Sequence, residues 1–277
     1  MILPIIRFAP SPTGRLHLGH GWSALLAHDA ARRGNGQFLL RIEDIDPGRC
    51  RAEYVAAIKQ DLRWLGLAWD GEPVVQSQRA PLYAQALARL DAMGLVYRCS
   101  CTRREIAEST SAPQDGSGPF YPGTCRGRGL DEGAWRLDMA KAVAVAGPLV
   151  WTDADAGVIA ACPQAAGDII VARKDAGTSY HLAVTVDDAA QGITCVVRGR
   201  DLFAATHIHR LLQALLGLPT PTYQHHRLVI GGDGVRLAKR SQSPTLARLR
   251  DAGTDPAALI EMMRCGRFPV GFALAEA

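Results

Sequence analysis

Four short stretches carry side chains of the right types and spacing to do chemistry. His17-Leu18-Gly19-His20 sets two imidazoles three residues apart, so on a helix they share one face. A helix start attracts phosphate through its unpaired N–H groups and dipole, and Gly19 lets a flat ligand lie against the backbone. H-x-x-H can also be half a metal site or a surface accident; its place after a Pro/Gly loop favours the nucleotide reading. Glu43-Asp44-Ile45-Asp46 gathers three carboxylates at the end of an apolar run. That is either a ligand crevice or a solvated strand end. Cys99 and Cys101, with Cys125 beyond a Gly/Pro/Ser-rich stretch, form a thiol set suited to structural zinc. Tyr121, Asp115, Glu105 and a water compete for the fourth position, and the alternative is three reduced thiols with no metal. Arg236, Lys239 and Arg240 follow a glycine-rich turn at Gly231, Gly232 and Gly234. Mobile cations of this kind suit a polyphosphate. A solvated basic loop would be the simpler reading without the histidine motif.

The elements that must position these groups can be read from periodicity. Leu3 to Phe8 is a strand-like apolar run, and Ala9-Pro10-Ser11-Pro12-Thr13-Gly14 is a loop. Leu18, Trp22, Leu25, Leu26 and Ala30 then recur at helical spacing. Strand, tight turn and helix open an α/β nucleotide-binding unit, here without the G-x-G-x-x-G fingerprint. Gln37 to Ile42 predicts a second strand, and Ala52 to Trp64 and Leu82 to Met93 predict helices closed by Gly66 and Gly94. Asp138 to Ala146 fits helix or strand, and 135–171 shows no chemistry. Asp168 to Val171 reads as a strand followed by a hairpin turn. Tyr180 to Asp188 reads as a strand ending in two acids, and Ile193 to Val197 as another ending at Arg198. Charged groups at strand ends again mark the ligand side of an α/β sheet. His207 to Leu216 and Pro256 to Met263 predict helices. His207, His209, His225 and His226 match no standard metal spacing and read as solvated histidines. Cys50, Cys162, Cys195 and Cys265 read as small buried hydrophobes.

The composition agrees with a globular α/β protein. The 277 residues suffice for one large domain or two smaller ones, and 48% hydrophobic with 21% charged residues is ordinary. No apolar run reaches the length of a membrane span, and no signal peptide is expected. Net charge of +4 permits an RNA partner without demanding one. Seven unevenly spaced cysteines argue for a reducing, cytoplasmic setting.

Together the motifs resemble the glutamyl type of class I aminoacyl-tRNA synthetase. RFAPSPTGRLHLGH at 7–20 is similar to its opening motif with the HIGH-type signature. LRIEDID at 40–46 resembles the strand carrying the substrate-binding glutamate. SYHLAVTVDD at 179–188 and VVRGRDL at 196–202 resemble later active-site strands, and RLAKR at 236–240 a degenerate KMSKS loop. The likeness covers residues 1 to about 250. The chain stops where that family continues into a helical anticodon-binding domain, so it is closer to the short glutamyl-queuosine tRNA(Asp) synthetases.

The resemblance implies a class I Rossmann-type parallel sheet with an inserted zinc-containing subdomain and a short helical C-terminal stem. The expected division is 1–98, an insert at 99–190, 191–240 and 241–277. The implied reaction is ATP-dependent formation of glutamyl-adenylate, then transfer to the queuosine base at the anticodon wobble position of tRNA(Asp). Implied roles are His17, Gly19, His20 and Lys239 at ATP, with His17, His20 and Lys239 catalytic. Arg7 and Arg198, helped by Tyr180, take the glutamate side chain, and Glu43 takes its ammonium. Phe8, Ala9, Pro10 and Ser11 line the pocket. Cys99, Cys101, Tyr121 and Cys125 hold one structural zinc, and Mg²⁺ accompanies ATP. A monomer is expected, with scattered arginines (Arg103, Arg104, Arg126, Arg128) touching RNA. Arg236 and Ala238 replace the loop's first lysine and first serine, and Arg200 stands where relatives usually have a small or acidic residue. Two rival readings are a truncated glutamyl-tRNA synthetase charging tRNA(Glu) and a non-catalytic glutamate- or adenylate-binding paralogue.

Overall fold

The computed structural model describes residues 3–102, 104–106, 121–235, 237 and 245–276. The chain opens with β1 (Ile5–Phe8), α1 (Leu18–Arg33), β2 (Gln37–Ile42), α2 (Ala52–Trp64), β3 (Val74–Val75), α3 (Ala80–Ala92) and β4 (Val96–Cys99). It continues through β5 (Ala134–Leu137), α4 (Met139–Ala146), β6 (Val150–Asp153), β7 (Gly157–Ala160), β8 (Ile170–Ala172) and α5 (Tyr180–Ala190). Then follow β9 (Cys195–Gly199), α6 (Phe203–Leu215), β10 (Thr222–His226), β11 (Val229–Gly231), α7 (Leu246–Asp251), α8 (Pro256–Arg264) and β12 (Phe272–Leu274).

Seven strands form the main sheet in the order β3-β2-β1-β9-β10-β6-β7. All neighbours run parallel except the β6–β7 hairpin at one edge. Strand order reverses between β1 and β9, and in open α/β sheets the crevice at the strands' carboxyl ends at such a point takes the ligand. A separate antiparallel sheet, β4-β5-β8, carries the region of the thiols. Residues 150–160, inside the span 99–190, pair with the main sheet through β10.

The core packs α1, α2 and the C-terminal helices onto the sheet. Leu18, Trp22, Ala24 and Leu25 of α1 are buried with Ile6, Phe38, Leu40, Leu62, Leu246 and Met263. Antiparallel pairing of β11 with β12 ties the last described strand to the start of the basic loop.

Two expectations change and one open reading closes. Tyr180 to Asp188 is helix, not strand. Ser179 caps α5 by accepting from the Leu182 amide (3.4 Å), and α5 is wedged between α3 and α6. Burial on several faces erases the polar stripe that would have shown a 3.6 period. The turn after β8 therefore leads into a helix rather than a hairpin partner. Asp138 to Ala146 resolves to helix, with Asp138 as its cap (Lys141 amide, 3.2 Å). Finally, Cys162 and Cys265 are exposed and Cys50 and Cys195 half-buried, so none of these four is a core residue.

Candidate active site

The histidine motif sits at the turn from β1 into α1. His17 is the N-cap: its Nδ1 accepts from the Gly19 amide (3.1 Å), and His20 Nδ1 accepts from the His17 amide (3.2 Å). This reciprocal pair works as a capping box. Both Nδ1 atoms are acceptors, so each neutral ring carries its proton on Nε2. The two rings lie 3.8 Å apart between centroids. A cavity of about 170 Å³ beside them is lined by His17, Gly19, His20, Gly199, His226 and Leu237. Thr245 bridges back to His17, and the Leu246 amide donates to the Leu16 carbonyl (2.9 Å). Both described flanks of the basic loop, Leu237 and Thr245, thus lie at the histidine motif. Lys239, Arg236, Ala238 and Arg240 lie outside the described residues.

A second cavity of about 410 Å³ continues from the first, sharing His20, Ser23, Gly199 and Asp201. Arg7, Phe8, Ala9, Pro10, Ser11, Glu43, Tyr180 and Arg198 all line it. The structure therefore brings the residues expected at the amino acid together, at the switch point between β1 and β9. Gly199 lets the strand end there: a Cβ would lie 2.6 Å from Asp201 Oδ1 and 2.8 Å from Leu228 Cδ2.

The charges in this cavity are unequally matched. Arg7 is held by Asp188, Nε at 2.8 Å and Nη2 at 3.2 Å, at odds with a guanidinium wholly reserved for substrate. Arg41, fully buried, donates to Asp188 (2.6 Å), Gln191 (3.0 Å) and Glu43 (3.0 Å). Asp187 is answered by Arg79 (2.6 Å), Gln76 (2.8 Å) and Tyr83 (2.8 Å). Arg7, Arg41 and Arg79 therefore balance Glu43, Asp187 and Asp188. Burial pushes the Glu43 carboxyl up, and Arg41 only partly offsets it. Burial also acts to raise Asp188, but Arg7 and Arg41 overcome it and hold that carboxyl below its usual range.

Arg198 is different. It is 5% exposed, and its described hydrogen-bond partners are His225, His209 and Thr206, none of them a carboxylate. A buried cation without a counter-charge is costly unless a ligand supplies one. The solvated-histidine reading is overturned here: His209, His225 and His226 are buried, and two of them touch Arg198. Arg41, Thr206, His209 and His225 escaped the sequence reading as site residues, whereas Asp188 was marked only as an acid on the ligand side. An arginine inside the apolar run of β2 was the visible signal for Arg41.

The thiol set converges at the end of β4. The Sγ atoms of Cys99, Cys101 and Cys125 lie within 4.8 Å of one another and could hold a metal ion. Tyr121 Oη lies 3.3 Å from Cys99 Sγ and 3.6 Å from Cys101 Sγ. Of the other fourth-ligand candidates, Glu105 is engaged by Thr102 (2.6 Å and 2.8 Å), and Asp115 lies outside the described residues. Arg136 covers the Tyr121 ring, its guanidinium 3.7 Å from the centroid. Between this cluster and the amino-acid cavity lies a larger one of about 640 Å³, which shares Ser11, Glu43 and Tyr180 with that cavity and reaches Tyr121 and Arg136. Arg126, expected at RNA, is exposed and also paired with Asp168 (2.6 Å). Arg103 lies outside the described residues, while Arg104, Arg128 and Arg200 are exposed.

A histidine-marked helix start, a charged crevice at the switch point and a thiol cluster define one class of protein. The chain belongs to the class I tRNA synthetases of the E and Q type, whose catalytic-domain family model matches residues 5–271. Its members are ligases. Within that class, it is 51% identical over 269 residues to a glutamyl-Q tRNA(Asp) synthetase of Rhodobacter capsulatus, covering 91% of this chain and 97% of that protein. It is 45% identical over 269 residues to one from Symbiobacterium thermophilum, covering 92% and 83%. In fold, it is similar to the crystal structure of a glutamate tRNA ligase from Elizabethkingia meningosepticum in complex with its amino acid. That match has a TM-score of 0.77 at 25% identity and covers 95% of this chain. The chain spans 60% of the length of that ligase.

Proposed function

We propose that this enzyme joins L-glutamate to ATP as glutamyl-adenylate and passes the glutamyl group to queuosine at the wobble position of tRNA(Asp). One observation carries the substrate assignment: Arg198, buried and without a carboxylate partner among the described residues, lines the same cavity as Glu43. A ligand placed there needs an anion at one end and a cation at the other, as an acidic amino acid has. Arg198 takes the side-chain carboxylate, with Arg7 Nη1 and Tyr180 beside it, and Glu43 takes the α-ammonium. Glutamine would leave the arginine without its charge, a mismatch sites reject strongly.

Activation needs no enzyme nucleophile. The α-carboxylate attacks the α-phosphorus and pyrophosphate leaves, so catalysis lies in positioning and in stabilising phosphate charge. His17 and His20 serve as Nε2 donors at the N-terminus of α1, and Gly19 opens the approach. Lys239 is proposed as the cation that follows pyrophosphate. Mg²⁺ would accompany ATP and screen its charge. Cys99, Cys101, Tyr121 and Cys125 would hold zinc, whose chemistry there is structural. The larger cavity is proposed to admit the acceptor nucleoside, next to the amino-acid site and walled by Tyr121 and Arg136. The division 1–98, 99–190, 191–240 and 241–277 serves as the working outline, with 150–160 joined to the catalytic sheet.

Among the described residues no helix is long and apolar enough to cross a membrane. All seven cysteines are free, which supports a reducing cytoplasmic setting.

The test uses radiolabelled glutamate, ATP and tRNA(Asp) with or without queuosine. Label is expected only on the queuosine-bearing RNA. Charging of unmodified tRNA(Glu) with tRNA(Asp) left blank would overturn the assignment, and absence of glutamate-dependent pyrophosphate–ATP exchange would favour a non-catalytic binder.

A further inference from the structure

The neutral groups around Arg198 form a connected chain. Arg198 Nε donates to His225 Nε2 (3.1 Å) and Nη2 to Thr206 Oγ1 (2.6 Å). Its Nη1 lies 3.3 Å from His209 Nδ1, and His209 Nε2 lies 3.2 Å from His181 Nδ1. On the far side, His225 Nδ1 lies 2.7 Å from Asp153 Oδ2. A guanidinium has only donors, so each ring nitrogen facing it must be the bare one. That condition fixes the proton positions. His225 carries its proton on Nδ1 and donates to Asp153. His209 carries its proton on Nε2 and donates to His181 Nδ1, which leaves the His181 proton on Nε2.

The chain holds the arginine without cancelling its charge. Burial, then Arg198 itself, push His225 and His181 down to about 4, so both rings stay neutral in ordinary buffer. Asp153 is separated from the guanidinium by a ring. A carboxylate at position 209 would hold the guanidinium equally well but would neutralise it. A hydrocarbon there would keep the charge but release one arm of the fork. Glutamine alone reproduces both functions, with its carbonyl accepting from Arg198 and its amide donating to His181.

We infer that His209 is a positioning residue for substrate selection, aiming Arg198 at the acidic amino acid through its unprotonated Nδ1. This rests on the proposed reading of the crevice as a glutamate site. His209 lies outside the crevice lining and acts through the arginine.

Glutamate-dependent pyrophosphate–ATP exchange on wild type, His209→Leu, His209→Gln and His209→Glu tests it. His209→Leu is expected to raise the glutamate KM by about 10- to 100-fold, the worth of a hydrogen bond to a charged group. The ATP KM should stay near wild type, and His209→Gln should restore the glutamate KM. His209→Glu should fail like leucine, because it supplies the charge that the substrate must bring. Nitrogen NMR of the wild-type chain near neutral pH should show His209 as the Nε2–H form and His225 as the Nδ1–H form. An unchanged glutamate KM in His209→Leu, a parallel rise in both KM values, or a His209 proton on Nδ1 would each overturn the inference. Should His209→Leu not fold, the wild-type NMR and the Gln/Glu contrast decide. Wild-type exchange driven by another amino acid would instead sink the glutamate reading, while the NMR result would still report on the relay.

Discussion

At the scale of single residues, the active crevice is a problem in counting charge. Arg7 and Arg41 are balanced by Asp188 and Glu43, and Arg198 has no carboxylate partner among the described residues. Arg198→Lys keeps the charge but loses the fork that spans His225, His209 and Thr206. Its glutamate KM should rise by about 100-fold, with the ATP KM little changed, because a lysine cannot make the paired contact. Steady-state exchange assays check this, and equal rises for both substrates would contradict it. The buried histidines also set a pH dependence. His225 and His181 have folded pKa values pushed from 6.5 to about 4 by burial and Arg198. Between those values the unfolded chain binds protons that the folded chain refuses. Their contribution is therefore complete above pH 6.5 and is lost as pH falls toward 4. Urea unfolding midpoints should drop from pH 7 to pH 5, and less so in His225→Gln.

At the scale of elements, helix α5 carries the most consequence. It delivers Asp187 and Asp188 to arginines from three other segments. Asp187→Ala would strand Arg79, Gln76 and Tyr83 and should cost about 3–5 kcal/mol, measurable by chemical unfolding. This helix is also where the sequence misled. Tyr180 to Asp188 alternates like a strand, and a helix buried between α3 and α6 has little polar face to betray its period. By contrast α2 and α8 were legible because each has one wet side and a clear stop, and α1 and β2 because their apolar residues recur at helical spacing or run together. The histidine motif was legible because it is local. The Arg198 cage was not, since its members come from β9, α6 and β10, and only the parallel register sets His225 opposite Arg198. The thiol cluster stands between these cases: three cysteines were visible, but only the fold shows Tyr121 Oη among them and Glu105 turned to Thr102. Purified protein should contain about one zinc per chain. Cys125→Ser should depress glutamyl transfer to RNA more than adenylate formation, and equal losses would mean the cluster serves the whole fold.

At the scale of the molecule, three joined cavities run from the histidine motif to Tyr121, and the proposed reading assigns them in turn to nucleotide, amino acid and acceptor. Net charge is only +4, and the proposed RNA contact falls to exposed arginines such as Arg128 and Arg126, the latter also paired with Asp168. Transfer to RNA should weaken steeply with added salt, while adenylate formation should not. Binding measured across a salt series checks this, and a flat log–log plot would refute an electrostatic docking face.

Arg41 meets Asp188 across 147 positions of chain, with both groups buried. Asp188 finds its cations, Arg7 and Arg41, only in the amino-terminal half and cannot leave water before they arrive, because a lone dehydrated ion is prohibitive. The amino and carboxyl halves are thus bound to one late, joint collapse rather than two independent ones. Pieces made separately on either side of the thiol region should stay unstructured, yet regain exchange activity when refolded together.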